Sequence, residues 1–145
     1  MQEHCKWFSE LTPTELYDVL KLRVDVFVVE QACPYPELDG RDQAALHVWL
    51  EEEGRVLACL RVLDRGVESP HVSIGRVVTA RRRQGLGTRV MQAGLRAARQ
   101  VFGPGPVYLE AQTYARPFYE TLGFRPVSGP FLIDGIPHIR MLREE

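Results

Sequence analysis

Residues 72–102 read VSIGRVVTARRRQGLGTRVMQAGLRAARQVF. HVSIGRVV, residues 71–78, is rich in β-branched side chains and predicts a strand. From Leu86 onward, Val90, Gly94, Ala97 and Val101 recur on one helical face. Between the two lie Arg81, Arg82 and Arg83, then Gln84, Gly85, Leu86, Gly87 and Thr88. A glycine-rich turn at this place lets backbone approach a ligand, and the first N–H groups of the helix then face outward toward an anion. The stretch is not a P-loop, because GxxxxGK followed by Ser or Thr is absent. It is not a dinucleotide fingerprint either, because Val90 stands where a third glycine is required. A nucleotide-binding protein built on either loop is thereby disfavoured.

The flanking sequence supplies the rest of the fold. CKWF near the start predicts a short strand. Thr12, Pro13 and Glu15 read as an N-cap, first helical residue and capping-box partner, opening a helix through Leu16, Val19, Leu20, Val24, Phe27 and Val28 to about Glu30. Prolines 34 and 36 disfavour its continuation. LHVWLEEE and RVLACLRVL around Gly54 predict a hairpin. Beyond the long helix and GPGP come a strand in VYLEAQ, a short helix in ARPFYETLG, and strands in FRPVS and IPHIRML. The order β-α-β-β-β-α-β-α-β-β implies one mixed α/β sheet with helices on both faces.

Two patterns then stand in order: Arg82-x-x-Gly85-x-Gly87 at a strand-to-helix turn, and QTYARPFYETLGF at residues 112–124, with Ala115, Phe118, Tyr119, Gly123 and Phe124 in register. Together they resemble the GNAT acetyltransferase superfamily. Gln112 occupies the position where asparagine is common in that family. FVVEQACPYPELDGRD, His47 and DGIPHIRM resemble its ElaA-like branch, so the likeness spans nearly the whole chain. The resemblance implies a GNAT-type sheet of about six or seven strands and transfer of an acetyl group from acetyl-CoA to the primary amine of a small molecule or peptide. It also implies homodimerisation.

The roles carried by the resemblance are specific. Backbone groups of Arg76, Val77 and Val78 would meet the pantetheine arm where two strands part, and Arg82, Arg83, Gln84, Gly85, Gly87, Thr88 and Gln112 would hold the rest of the donor. Tyr119 would protonate the departing thiolate, since a phenol with pKa near ~10 stays protonated at neutral pH. For the base, Glu30, Glu110, His47, His71 and His138 qualify by type, and Glu110 shares strand parity with Gln112. Glu30, Gln31, Tyr35, Asp39, His47 and His138 are the acceptor-side candidates. Cys33 shows no feature of a lowered pKa, and direct transfer requires no covalent intermediate. Gly87→Leu is expected to block donor binding in a folded chain. The alternative function is a CoA-binding regulatory module without catalysis.

Composition bounds the partners. With 145 residues, 45% hydrophobic and 26% charged, the chain is expected to form a single domain over residues 1–145. A net charge of -1 gives no global field for nucleic acid or an anionic membrane. No apolar run approaches the ~20 residues of a membrane span. Cys5, Cys33 and Cys59 make an odd set without CxxC, as expected of reduced thiols in a cytoplasmic protein. The spacing of His4, His47, His71 and His138 predicts no metal site.

Overall fold

The computed structural model describes residues 1–82 and 84–144. Its strands are β1 (Gln2–Trp7), β2 (Leu46–Glu52), β3 (Arg55–Leu63), β4 (Val72–Thr79), β5 (Val107–Gln112), β6 (Arg125–Pro126), β7 (Phe131–Ile133) and β8 (Ile136–Arg143). The helices are α1 (Pro13–Arg23), α2 (Leu86–Phe102) and α3 (Arg116–Glu120). They form a mixed sheet in the order β1-β2-β3-β4-β5-β8-β6, with β7 added on β8. All described pairings are antiparallel except β4 with β5.

Local chemistry explains where these elements begin and turn. Thr12 Oγ1 accepts from Glu15 N at 3.1 Å, and Glu15 Oε1 accepts from Thr12 N at 2.9 Å, so the predicted capping box closes α1 at its start. Lys6 of β1 holds the same carboxylate at 3.0 Å. The β2–β3 turn places Glu53 and Gly54 at φ 52° and 76°, and the β7–β8 turn places Asp134 and Gly135 at φ 49° and 78°. Two consecutive positive φ values are the hairpin geometry whose twist suits the flanking strands. The second hairpin is the eighth strand's origin: FLI before Asp-Gly is a strand that the sequence reading did not separate.

The first helix also ends differently from expectation. Its α-helical part stops at Arg23, and Val24–Glu30 continue as a wide π-helical turn. That change of winding presents Val26 and Phe27 to Val19, Trp49, Cys59 and Val78 on one side of the sheet. On the other side α2 lies over β3, β4 and β5 through Val90, Met91, Leu60, Ile74 and Leu109. Gly94 makes this approach close: a Cβ there would lie 2.8 Å from Leu60 Cδ2. Val101, assigned to the inner face, is instead exposed near the end of α2. Burial pushes the Cys59 thiol up to about 12, so this cysteine is a core side chain. Among the described residues no helix is long and apolar enough to cross a membrane.

Candidate functional site

β4 and β5 pair only at Val72 with Val107 and Ser73 with Tyr108. Beyond Ser73 the two strands part. The opposite edge of β4 is irregular as well, because Cys59 pairs with Val78 while Arg61 pairs with Gly75. Leu60 on β3 therefore faces both Arg76 and Val77, which makes a bulge on β4, with Arg76 at φ 53°. The bulge and the parting together leave backbone of β4 without a strand partner. A cavity of about 300 Å³ opens there, walled by Ile74–Val77 and Leu109–Gln112 and bounded by Phe27, Gln31 and Tyr35.

The glycine turn sits beside this opening. Gly85 adopts φ 71° as the N-cap of α2, with no side-chain cap, and Arg89 N to Gly85 O at 3.1 Å is the first intrahelical bond. The amides of Leu86, Gly87 and Thr88 thus precede that bond and can meet an anion. Gly85 is the conformational glycine. Gly87 serves close packing, since a Cβ there would lie 3.2 Å from Phe118 Cζ on α3. A leucine at position 87 would therefore push on α3 as well as on a ligand, and position 85 is the cleaner place to test the turn. Gln84 is exposed and Thr88 half-buried. Arg82 pairs with Glu30, and Arg83 lies outside the described residues.

Tyr119 projects from α3 into the same cavity, 9% exposed and held edge-on by Phe118 and Phe124 at ring distances of 5.0 and 6.0 Å. Its hydroxyl has no hydrogen-bond partner among the described residues and is not sealed off by protein. Burial, then the neighbouring Tyr114, push its pKa above the ordinary tyrosine value. Glu110 and Gln112 share the face expected from their parity, and Gln112 stands opposite His138 on β8. Tyr108 donates to Glu110 Oε2 at 2.8 Å, and Gln112 Nε2 donates to Gln31 Oε1 at 3.3 Å. His138 Nδ1 donates to Ile136 O at 2.7 Å, leaving Nε2 as the lone-pair nitrogen of the neutral ring.

Not every candidate comes to the cavity. His47 does not reach it: the ring is 1% exposed, its Nε2 donates to Asp42 O at 2.9 Å, and burial lowers its pKa. Glu30 faces Arg82 at the surface. Asp39 stands behind the wall. Val78 turns its side chain into the core and can offer only backbone. Conversely, Arg61, Glu68 and Asp134 line the cavity without having been singled out. Among the described residues, no group of His, Cys, Asp or Glu is arranged to hold a metal ion.

A closed set of charges supports the wall. Arg23, 1% exposed on α1, donates from Nε to Glu37 at 2.6 Å and from Nη1 to Asp42 at 2.7 Å. Arg61 donates to Asp39 at 2.6 Å and to Asp42 at 3.1 Å, while Arg76 donates to Glu37 at 2.9 Å and to Asp39 at 3.4 Å. Tyr35 donates to the remaining oxygen of Glu37, with the Arg76 guanidinium 5.7 Å from its ring centre. These contacts hold the positive φ of Arg76. Burial alone would raise Asp39 and Asp42, but Arg61 and Arg23 respectively outweigh it and hold both carboxyls below the usual range. Depressed folded-state pKa values add stability above the unfolded carboxylate pKa of about 3.9, and that stability is lost as pH falls below it. Thermal unfolding between pH 7 and 3 should show a midpoint that starts to decline below about pH 6.5, where the unfolded chain can charge His47 and the folded chain resists it, and that falls steeply below about pH 4. A midpoint that rises on acidification would contradict these charge states.

Residues 15–145 match the family described as Acetyltransferase (GNAT) domain. The chain belongs to the GNAT acetyltransferase family. Within it the ElaA-like branch is indicated by Escherichia coli ElaA, whose crystal structure superposes with a TM-score of 0.91 at 37% identity over 99% of each chain. An acyl-CoA N-acyltransferase from Pseudomonas aeruginosa superposes with a TM-score of 0.92 at 43% identity, again over 99% of each chain. A UPF0039 protein of Mycobacterium tuberculosis is 46% identical, covering 94% of this chain and 89% of the relative. GNAT membership supports acyl-CoA-dependent acyl transfer. The parted β4–β5 edge and the open amides of α2 fit such a donor: one offers strand-like backbone to an amide-bearing arm, the other offers N–H groups to phosphate.

Proposed function

We propose that this GNAT protein is an N-acetyltransferase that moves an acetyl group from acetyl-CoA to the primary amine of a small molecule or peptide, by direct attack in a ternary complex. The observation that carries the reading is the unpartnered Tyr119 hydroxyl in a cavity where β4 and β5 part. Acetyl-CoA supplies a thioester whose C–S bond breaks as the acceptor nitrogen forms the new C–N bond. The α2 amides beside Gly85 and Gly87, with Arg82, Arg83, Gln84 and Thr88, hold the phosphates. Backbone of Arg76, Val77 and Val78 and the Gln112 amide align the arm, so that orientation contributes much of the rate. Glu110 receives the proton that the nitrogen gives up, directly or through water, and Tyr119 delivers one proton to the departing sulfur. Gln31, Tyr35 and His138 form the acceptor wall, and Asp39 acts on it through Arg61 and Arg76.

Calorimetry with acetyl-CoA, followed by thiol release over a panel of primary amines, tests the reading. Saturable donor binding and amine-dependent thiol release are expected. Gly85→Val should weaken donor binding by about tenfold, because φ 71° costs a β-branched residue about 1–3 kcal/mol. Donor binding without thiol release for any amine would indicate a CoA-binding module instead.

A further inference from the structure

The charges around the cavity do not cancel evenly. Arg23, Arg61 and Arg76 are matched by Glu37, Asp39 and Asp42 in the closed set described above, so that set contributes no net charge. Glu68, Glu110 and Asp134 remain, and all three line the cavity. Glu68 meets Arg41 at 3.5 Å on the outer side, and Glu110 has the Tyr108 hydroxyl but no ion pair among the described residues. Arg140, opposite Glu110 on β8, lies over the Phe131 ring at 4.4 Å. Three arginines act on Glu68, namely Arg41, Arg61 and Arg76, but Arg61 and Arg76 belong to the neutral closed set, so the three extra carboxylates leave the wall with a net negative charge.

Their placement follows from the chain. Glu68 belongs to the connection from β3 to β4, which is tied down by Gly66 N to Ser69 O at 2.8 Å and by Ser69 Oγ to Ser73 Oγ at 3.2 Å. Ser73 pairs with Tyr108 at the last joined step of β4 and β5, so Glu68 stands at the closed end of the slot. Glu110 is two residues further along β5, toward the open end. Burial, and then the charge of Glu110, raise the pKa of Glu68 against the opposing pull of Arg41, Arg61 and Arg76, so a partly dry place beside a like charge outweighs the nearby cations. A cation between them would relieve that repulsion. Independently, Tyr119 is 9% exposed and its hydroxyl, open to the cavity, has no partner among the described residues, which marks the same cavity as one that receives a ligand.

We infer that Glu68 holds a second ammonium of the acceptor while Glu110 serves the reacting nitrogen, so that the substrate is a short diamine rather than a simple monoamine. The inference rests on the amine-acetylation reading and specifies its acceptor. The reacting nitrogen must be uncharged to attack, whereas the distal one stays protonated at neutral pH and is bound as a cation. Glu68 is thus a specificity residue: it touches the end of the substrate that does not react.

The test compares short α,ω-diamines with the monoamines and amino alcohols of equal length, using thiol release from acetyl-CoA. For the unaltered protein kcat/KM should favour the diamine by about tenfold or more, the effect of one charge-assisted contact. Glu68→Gln should erase that preference by raising the diamine KM, leave the monoamine KM and acetyl-CoA affinity unchanged, and be partly rescued in Glu68→Asp. Equal rates for diamine and monoamine in the unaltered protein would overturn the inference while leaving amine acetylation standing. So would a loss in Glu68→Gln shared equally by all acceptors. Should no amine release thiol, the acetylation reading fails; calorimetric binding of the diamine that disappears in Glu68→Gln would still support the ammonium site, and absence of binding would overturn it.

Discussion

Tyr119→Phe is expected to lower kcat by about 10²–10⁴-fold, the usual contribution of a positioned general acid. Acetyl-CoA affinity should be nearly unchanged, because the ring, its edge-on contacts with Phe118 and Phe124 and the fold around it are retained. Burial holds the phenol protonated well past neutrality, so the step should not be lost as pH rises through the range where an ordinary thiol ionises. A phenol of this kind is a weaker acid than the thiol it serves. It would therefore act chiefly by donating a hydrogen bond to the sulfur as charge builds there, and transfer of its proton would be completed only as the phenolate regains one from solvent. Steady-state thiol release with a true acceptor and calorimetry with the donor separate the two quantities. An unchanged kcat would remove Tyr119 from the mechanism.

The second large effect is on stability. Arg23→Leu should cost about 3–5 kcal/mol, because it leaves Glu37 and Asp42 buried with fewer compensating donors. For a chain of this size that corresponds to a fall of roughly 10 °C in Tm. The contrast is with Lys21→Ala on the same helix, whose exposed pair with Asp25 at 2.7 Å should leave stability nearly unchanged. Urea unfolding of both variants measures the difference. A cost below about 1 kcal/mol for Arg23→Leu would mean that the charged set adds specificity without stability.

Arg23 also marks the boundary of what the sequence discloses. Thr12, Glu15 and Gly54 announce their structures through chemistry that acts within a few residues, and the GNAT motifs place α2 and α3 in order. Arg23 lies four residues after Val19 on the same inward face, yet periodicity assigns a charge to solvent. Its burial depends on Glu37 and Asp42, which only the folded chain brings near. Glu68 is hidden for a related reason: it lies in a connection, where no period exists, and its significance comes from Glu110 on another strand. The π-helical turn at Val24–Glu30 likewise leaves an apolar pattern that reads as ordinary helix. Arg76 carries a positive φ inside a strand-forming stretch, a conformation stabilised by Glu37 and Asp39 rather than by its neighbours. The shared face of Glu110 and Gln112, by contrast, is legible from alternation, while Gln112 itself is picked out only by its place in the GNAT motif.

The approach of Phe118 to Gly87 has a consequence for the length of what can be bound. Ring against backbone at that distance joins the first turn of α2 to α3 without an intervening flexible loop. The distance between the α2 amides and the Tyr119 hydroxyl is therefore set by a rigid gauge. Under the proposed function, phosphates would sit at one end of it and the reacting sulfur at the other, and the protein would measure the donor's arm: a shorter or longer carrier of the same acyl group would hold its phosphates and miss the phenol.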